Sequence, residues 1–318
     1  MSAQVHPQVA ALLERVARSP LPPYATVSAF VARRIYRDTR GALSPAPPAV
    51  AEAKLLLAPG PGGPIPLRAY RPAGSTSGEV LPALIYFHGG GWVIGDLDTH
   101  DVVCRQLANG ARCTVISVDY RMGPESPFPA AVEDCLAATR WVAAEAAKLG
   151  IDPHRIAVGG DSAGGNLATV VALAARDAGG PALAFQLLVY PAADQRAGHP
   201  SVERNGEGYL LTKQSMEYFR GHYLPRRQDW DDWRASPLLA RSLAGLPPAL
   251  VITAGFDPLL DEGRAYAERL AAEGVATVYR EYPDMVHGFL LLGGVLDTAN
   301  AAVGECSKAL RAAFDGAK

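Results

Sequence analysis

Six short, almost wholly apolar runs constrain the fold of this chain more than any other feature of it. They occupy residues 83–87, 114–118, 156–158, 185–190, 250–253 and 276–279, and each is bounded by Gly, Pro or Asp. A strand that alternates apolar and polar residues keeps one wet face, whereas runs without alternation read as strands covered on both faces. Helical patterns at residues 130–147, 164–178, 261–273 and 299–314 fall between or after them. This repeated strand-then-helix order predicts an α/β fold with a mostly parallel, doubly wound sheet and helices on both faces. Residues 51–57 and 65–70 do alternate, and the turn Pro59-Gly60-Pro61-Gly62-Gly63-Pro64 between them predicts a hairpin at a sheet edge.

Helical patterns at residues 9–17 and 27–36 precede the sheet. Residues 193–233 break its rhythm: Tyr209, Tyr218, Phe219, Tyr223, Trp230 and Trp233 lie among charges, with one helical pattern at 212–223. Large apolar residues outside the strand rhythm commonly line pockets, so this insertion reads as a cap rather than as plain surface helices. No Ser/Gly-rich or charge-rich linker divides the 318 residues, and the chain reads as one domain, 1–318.

A formal net charge of -2 offers no electrostatic footprint for nucleic acid or acidic lipid. No apolar run approaches the ~20 residues of a membrane span. The start, Met1-Ser2-Ala3-Gln4-Val5-His6-Pro7, lacks a basic region followed by an apolar core. A cytoplasmic chain with a small, neutral partner is expected. Cys104, Cys113, Cys135 and Cys306 have no C-x-x-C pairing and no histidine cluster, which suits buried thiols of a reduced protein and gives no metal site.

Gly160-Asp161-Ser162-Ala163-Gly164 leaves the run at 156–159 and enters a small-residue helical segment. A serine between glycines at such a junction reads as a nucleophile elbow, where a tight turn strains the backbone and lifts the hydroxyl clear of the sheet. A glycine-rich loop with an incidental serine is spelled the same way, so partners elsewhere decide. His88-Gly89-Gly90-Gly91-Trp92 follows the run at 83–87 and matches the glycine loop that turns backbone N–H groups toward an oxyanion. No Lys follows, nor a G-x-G-x-x-G with a ribose-binding acid, which argues against a nucleotide. His88 reads as a hydrogen bonder that fixes this loop.

The acid and base of a triad should follow the serine, each at the end of a later strand. After residues 276–282 come Pro283-Asp284-Met285-Val286-His287, and His287 is the only histidine beyond His222, so it has little competition as general base. Asp257 competes with Asp261, Glu262 and Asp284; Asp261 and Glu262 read as first-turn helix residues near a dipole, whereas Asp257 lies in the loop directly off its strand and is favoured.

With these motifs in order, joined by Asp119-Tyr120-Arg121-Met122-Gly123-Pro124-Glu125-Ser126-Pro127-Phe128-Pro129, Asp257-Pro258-Leu259 and His287-Gly288-Phe289, the chain resembles the bacterial hormone-sensitive-lipase-like family of α/β-hydrolase carboxylesterases. The family usually reads Leu-Ala-Pro-Glu where Met122-Gly123-Pro124-Glu125 stands, a difference of local packing. The resemblance implies Ser162 as nucleophile, Asp257 and His287 as its partners, and the N–H groups of Gly90, Gly91 and Ala163 as an oxyanion hole. Gly89 then shapes the turn, and Arg121 and Glu125 are structural charges. It also implies a cap built from about residues 1–45 together with 193–233, and short- to medium-chain esters as substrates. Trp92, Tyr190 and the aromatics of the insertion would supply an apolar, limited pocket. The chemistry needs no cofactor and no metal. The last strand and helix of such a sheet can pair two subunits, so a homodimer is compatible. Amide hydrolysis would use the same machinery, and a noncatalytic small-ligand receptor would lack a triad residue.

Overall fold

The computed structural model describes residues 4–317. The first three residues of the expected cap span, which also begin the N-terminal segment read above, and Lys318 lie outside that range. Two helices come first, α1 (Pro7–Ala17) and α2 (Ala29–Gly41), followed by strands β1 (Glu52–Ala58), β2 (Ile65–Arg71) and β3 (Leu81–Phe87). Then come α3 (Asp101–Ala111), β4 (Thr114–Val118), α4 (Ala130–Ala144), α5 (Ala146–Leu149), β5 (Ile151–Asp161), α6 (Ala163–Asp177) and β6 (Phe185–Val189). The remainder is α7 (Pro200–Arg204), α8 (Lys213–Tyr223), β7 (Ala249–Phe256), α9 (Leu260–Ala272), β8 (Thr277–Val286) and α10 (Asp297–Gly316).

The strands form one sheet in the order β1-β2-β4-β3-β5-β6-β7-β8. The first pair is the expected antiparallel edge hairpin, β2 meets β4 antiparallel, and every later pairing is parallel. The unalternating runs are explained by burial: every residue of β3, β4 and β6 is covered. Alternate side chains of one strand feed opposite cores, as the pleat requires. Leu84 and Tyr86 pack with Val103, Leu107 and Leu310 of α3 and α10, while Ile85 and Phe87 pack with Cys135, Leu167 and Leu270 of α4, α6 and α9. Helix α3 lies outside the helical patterns read from the sequence. The four cysteines are buried and free. Among the described residues no helix is long and apolar enough to cross a membrane.

A third, small cluster joins Ala29, Ala32 and Tyr36 of α2 to Phe219 of α8 and to Val93 and Ile94 just beyond the glycine loop. Of the segments expected to form a cap, α2 and α8 therefore meet above the ends of the strands. Helix α1 does not join them: Val9 and Leu12 pack into the α3/α10 core, and Gln8 Nε2 donates to Asp297 at 2.9 Å.

The chain runs from β3 out to β4 and returns to β5 on the other side of β3, which opens a crevice at the C-terminal ends of β3 and β5. Such switch points are where open α/β sheets place ligands. Here the two ends approach so closely that a Cβ on Gly164 would run into the Phe87 carbonyl. Gly164→Ala should gain up to about 1 kcal/mol in helix propensity and lose about 1–3 kcal/mol to the collision. A lower thermal midpoint by calorimetry is the expected outcome, and a higher one would show that the β3 end can yield.

Candidate active site

Four loops leave parallel strands at the same edge of the sheet. Phe87 pairs with Gly160 at the ends of β3 and β5, and Phe256 pairs with Val286 at the ends of β7 and β8. His88, Ser162, Asp257 and His287 come within two residues of those pairs, so the strand register itself brings them together.

Ser162 sits at φ 56°, ψ -117°, a strained backbone position for a residue with a side chain. The turn is fastened by its N–H donating to the Val189 carbonyl at 2.9 Å. Its hydroxyl lies 2.9 Å from His287 Nε2, and His287 Nδ1 lies 2.7 Å from Asp257 Oδ2. Asp257 is fully buried, and its Oδ1 accepts from the Leu259 N–H at 2.8 Å, which fixes the carboxylate plane. With Nδ1–H donating to Asp257, Nε2 is left to accept the serine proton.

Two of the competing acids, Asp261 and Glu262, are engaged elsewhere. Asp261 accepts from the Ser201 N–H at 2.8 Å and pairs with Arg204. Glu262 is in the first turn of α9 but turns inward, accepting from the N–H groups of Ala193 and Asp194 at 2.7 and 3.3 Å. Burial pushes its carboxyl up from 4.5 to about 8, against the opposing effect of the Ala193 N–H.

Each glycine of the triplet is required by its surroundings. A Cβ on Gly90 would meet the Ile94 carbonyl, one on Gly91 the Phe219 ring, and one on Gly89 the Asp161 carboxylate. Gly90 and Gly91 have φ of 125° and 59°. The Gly89 N–H is taken by Asp161 Oδ1 at 3.0 Å. Among the described residues no backbone carbonyl takes the N–H of Gly90 or Gly91, and Ala163, first in α6, has no intrahelical acceptor. His88 is buried; the Tyr120 hydroxyl donates to its carbonyl at 2.7 Å, and its ring stacks on Tyr120. Burial, with His100 beside it, lowers its imidazole to about 4, so it stays neutral and anchors the loop.

A cleft opens above Ser162. Gly90, Gly91, Trp92, Ala163 and His287 line it with Tyr24, Tyr36 and Arg40 of the N-terminal segment and Met216, Phe219 and Arg220 of α8. Trp92 is thus among the residues that line the cleft. Tyr190 is not: it is fully buried outside the cleft, its ring 4.7 Å from that of His287 and 5.9 Å from that of Phe289. At φ 35° the backbone turns this side chain beneath the histidine instead of into the pocket. Among the described residues no cluster of three His, Cys, Asp or Glu side chains could hold a metal ion.

The profile of a family described by the α/β-hydrolase fold matches residues 84–291. The chain belongs to that family. It is 49% identical to the carboxylic ester hydrolase LipN of Mycobacterium tuberculosis over 264 residues, 81% of this chain and 69% of that one. It is 42% identical to an ethyl acetate hydrolase of Pseudomonas putida, with 79% of each chain covered. The solved ester hydrolase EH1AB1 from the Lake Arreo metagenome, in complex with a bipyridine phosphonate derivative, superposes with a TM-score of 0.95 at 45% identity, covering 98% of this chain and 100% of that one. Within the α/β hydrolases these relatives place the chain in the hormone-sensitive-lipase-like group.

Two residues of this hydrolase lie beyond what the motifs announced. Asp161, beside the serine, accepts from the Tyr86 hydroxyl at 2.8 Å and from Gly89, with His100 Nε2 at 3.3 Å. Burial alone would raise its carboxyl, but His100 and the Tyr86 hydroxyl outweigh that and hold it at about 2. It therefore ties the elbow to the glycine loop. Asp161→Asn keeps the shape and removes the charge; kcat/KM should fall on the order of 10²-fold through loop misplacement, with the triad intact to an active-site titrant. Glu262, the other, is favoured neutral in the fold, so its contribution is full below 4.5 and fades as pH rises toward about 8. Glu262→Gln should flatten the loss of thermal midpoint between pH 5 and pH 8.5; an unchanged slope would contradict the buried neutral acid.

Proposed function

We propose that this chain is a serine carboxylesterase that hydrolyses small, short- to medium-chain carboxylic esters through an acyl-enzyme on Ser162. The observation that carries this reading is the unbroken chain Asp257–His287–Ser162, at 2.7 and 2.9 Å, opening onto a cleft edged by unengaged backbone N–H groups. A serine hydroxyl is a poor nucleophile until its proton leaves as it attacks. His287 Nε2 takes that proton, while Asp257 fixes the tautomer and steadies the imidazolium. The carbonyl oxygen, now anionic, lies against the N–H groups of Gly90, Gly91 and Ala163, each contributing roughly 3 kcal/mol without rearrangement. His287 then gives its proton to the departing alcohol, and a water activated by the same imidazole releases the acid.

In this reading α2 and α8 act as the cap of a single hydrolase domain, and Trp92, Met216 and Phe219 give the cleft its apolar wall. A cytoplasmic location suits four buried free thiols. The open edge of β8, with Val278 exposed, is the surface on which two copies would pair as a homodimer.

With p-nitrophenyl acetate and butyrate, Ser162→Ala should abolish the acylation burst and lower kcat by on the order of 10⁴-fold or more. His287→Ala should cost almost as much, because the two groups act as a unit. A histidine variant that kept near-normal turnover, or a wild type that a serine-directed organophosphate left untouched, would sink the mechanism.

A further inference from the structure

Helix α2 carries four arginines, and three of them are matched by carboxylates. Arg33 holds both oxygens of Glu125, at 2.9 and 2.6 Å, Arg37 grips Asp96 at 2.8 Å, and Arg34 faces Asp38 at 3.8 Å. Arg40 follows Arg37 by three residues and so continues the same side of the helix. Among the described residues no carboxylate pairs with it, and the group nearest its guanidinium is the phenol of Tyr36. Its Cζ instead lies 4.6 Å over the ring of Tyr36, one turn earlier. That stack orients the group and leaves its charge without a carboxylate partner.

The location gives this cation a use. Arg40 lines the cleft, and a Cβ on Gly288, the residue after His287, would lie 3.7 Å from Arg40 Nη2. The guanidinium thus borders the histidine side of Ser162. His287 protonates the departing oxygen, which puts the alcohol portion of an ester on that same side. The carboxylates that line the cleft are all committed: Asp161 to Tyr86 and Gly89, Asp194 to Arg196 and His199, Glu262 to two backbone N–H groups. The other arginine of the cleft, Arg220, donates to the Gln195 carbonyl at 2.9 Å and stacks 4.1 Å over Trp230. One unmatched positive fork remains, close to where the alcohol leaves.

We propose that Arg40 is a specificity-determining residue, selecting esters whose alcohol portion carries a carboxylate and receiving that carboxylate on its planar guanidinium. The inference rests on the esterase reading of the same cleft. A partly desolvated, charge-assisted pair of this kind should favour the anionic ester by about 10- to 100-fold over the case without the arginine.

The test compares 4-carboxyphenyl acetate with its neutral methyl ester, 4-(methoxycarbonyl)phenyl acetate, in the wild type, Arg40→Met and Arg40→Lys. The readout is the ratio of the two kcat/KM values, since any general loss of packing acts on both esters. The ratio should fall about 10- to 100-fold in Arg40→Met, mainly through KM, and partly recover in Arg40→Lys, which keeps the charge without the fork. In the wild type it should also decline with added salt. An identical ratio in all three proteins, or equal losses on both esters, would reduce Arg40 to a packing residue and overturn the proposal. Mono-(4-nitrophenyl) succinate against 4-nitrophenyl pentanoate puts the charge on the acyl side; a loss confined to that pair would overturn the assignment to the alcohol. Absence of any hydrolysis of the neutral esters would instead overturn the esterase reading itself, so the two failures are distinguishable.

Discussion

The carbonyl of Phe87, at the end of β3, is the tightest point of this architecture, and the site is built around it. The parallel register brings Gly160 alongside Phe87, and α6 begins so soon afterwards that both Gly160 and Gly164 press against the same oxygen. Only residues without a Cβ tolerate that approach. As a result the serine turn and the glycine loop are located relative to each other by main chain, with the Asp161 side chain bridging them and His100 beside it. Donors fixed in this way do not reorganise when charge develops, which is the condition under which they are most effective.

What could be read directly from the amino-acid order was whatever obeys the grammar of strand ends. Ser162, Asp257 and His287 each follow an apolar run, so their convergence needs only the parallel sheet that those runs already imply. Partnerships made at long range were not legible. Asp161 was visible as a letter of the elbow, but its partners Tyr86 and His100 come from another strand and from the loop before α3. Glu262 has the sequence context of a dipole-facing residue, and its inward turn is set by the unpaired N–H groups of Ala193 and Asp194. Tyr190 follows its strand as a pocket residue would, and one left-handed backbone angle sends it elsewhere. Helix α3 lies outside the patterns read from the sequence although its buried face, Val103, Cys104, Leu107, Ala108 and Ala111, keeps helical spacing.

The layer over the cleft is held differently from the body beneath it. Helix α2 buries only Ala29, Ala32 and Tyr36. Much of its attachment is polar: Arg33 donates to the carbonyls of Val93 and Gly123 at 2.8 Å as well as to Glu125, and Arg37 reaches Asp96. Exposed ion pairs contribute about 0–1 kcal/mol each, far less than the buried faces of the sheet. The roof is consequently the softer part of the molecule, fastened to the loop that carries Gly90 and Gly91.

Ser162 and His287 also stand on unequal ground. Ser162 follows β5, deep within the sheet, while His287 follows β8, the last strand of the sheet, where residues 277–281 alternate between half-buried and exposed and only Met285 and Val286 are covered. Local opening begins where coverage is thinnest. Fraying of that last strand would part the base from the nucleophile while the central strands and both hydrophobic layers stay folded. In the proposed mechanism, opening of the histidine's strand would end catalysis before the sheet as a whole unfolds.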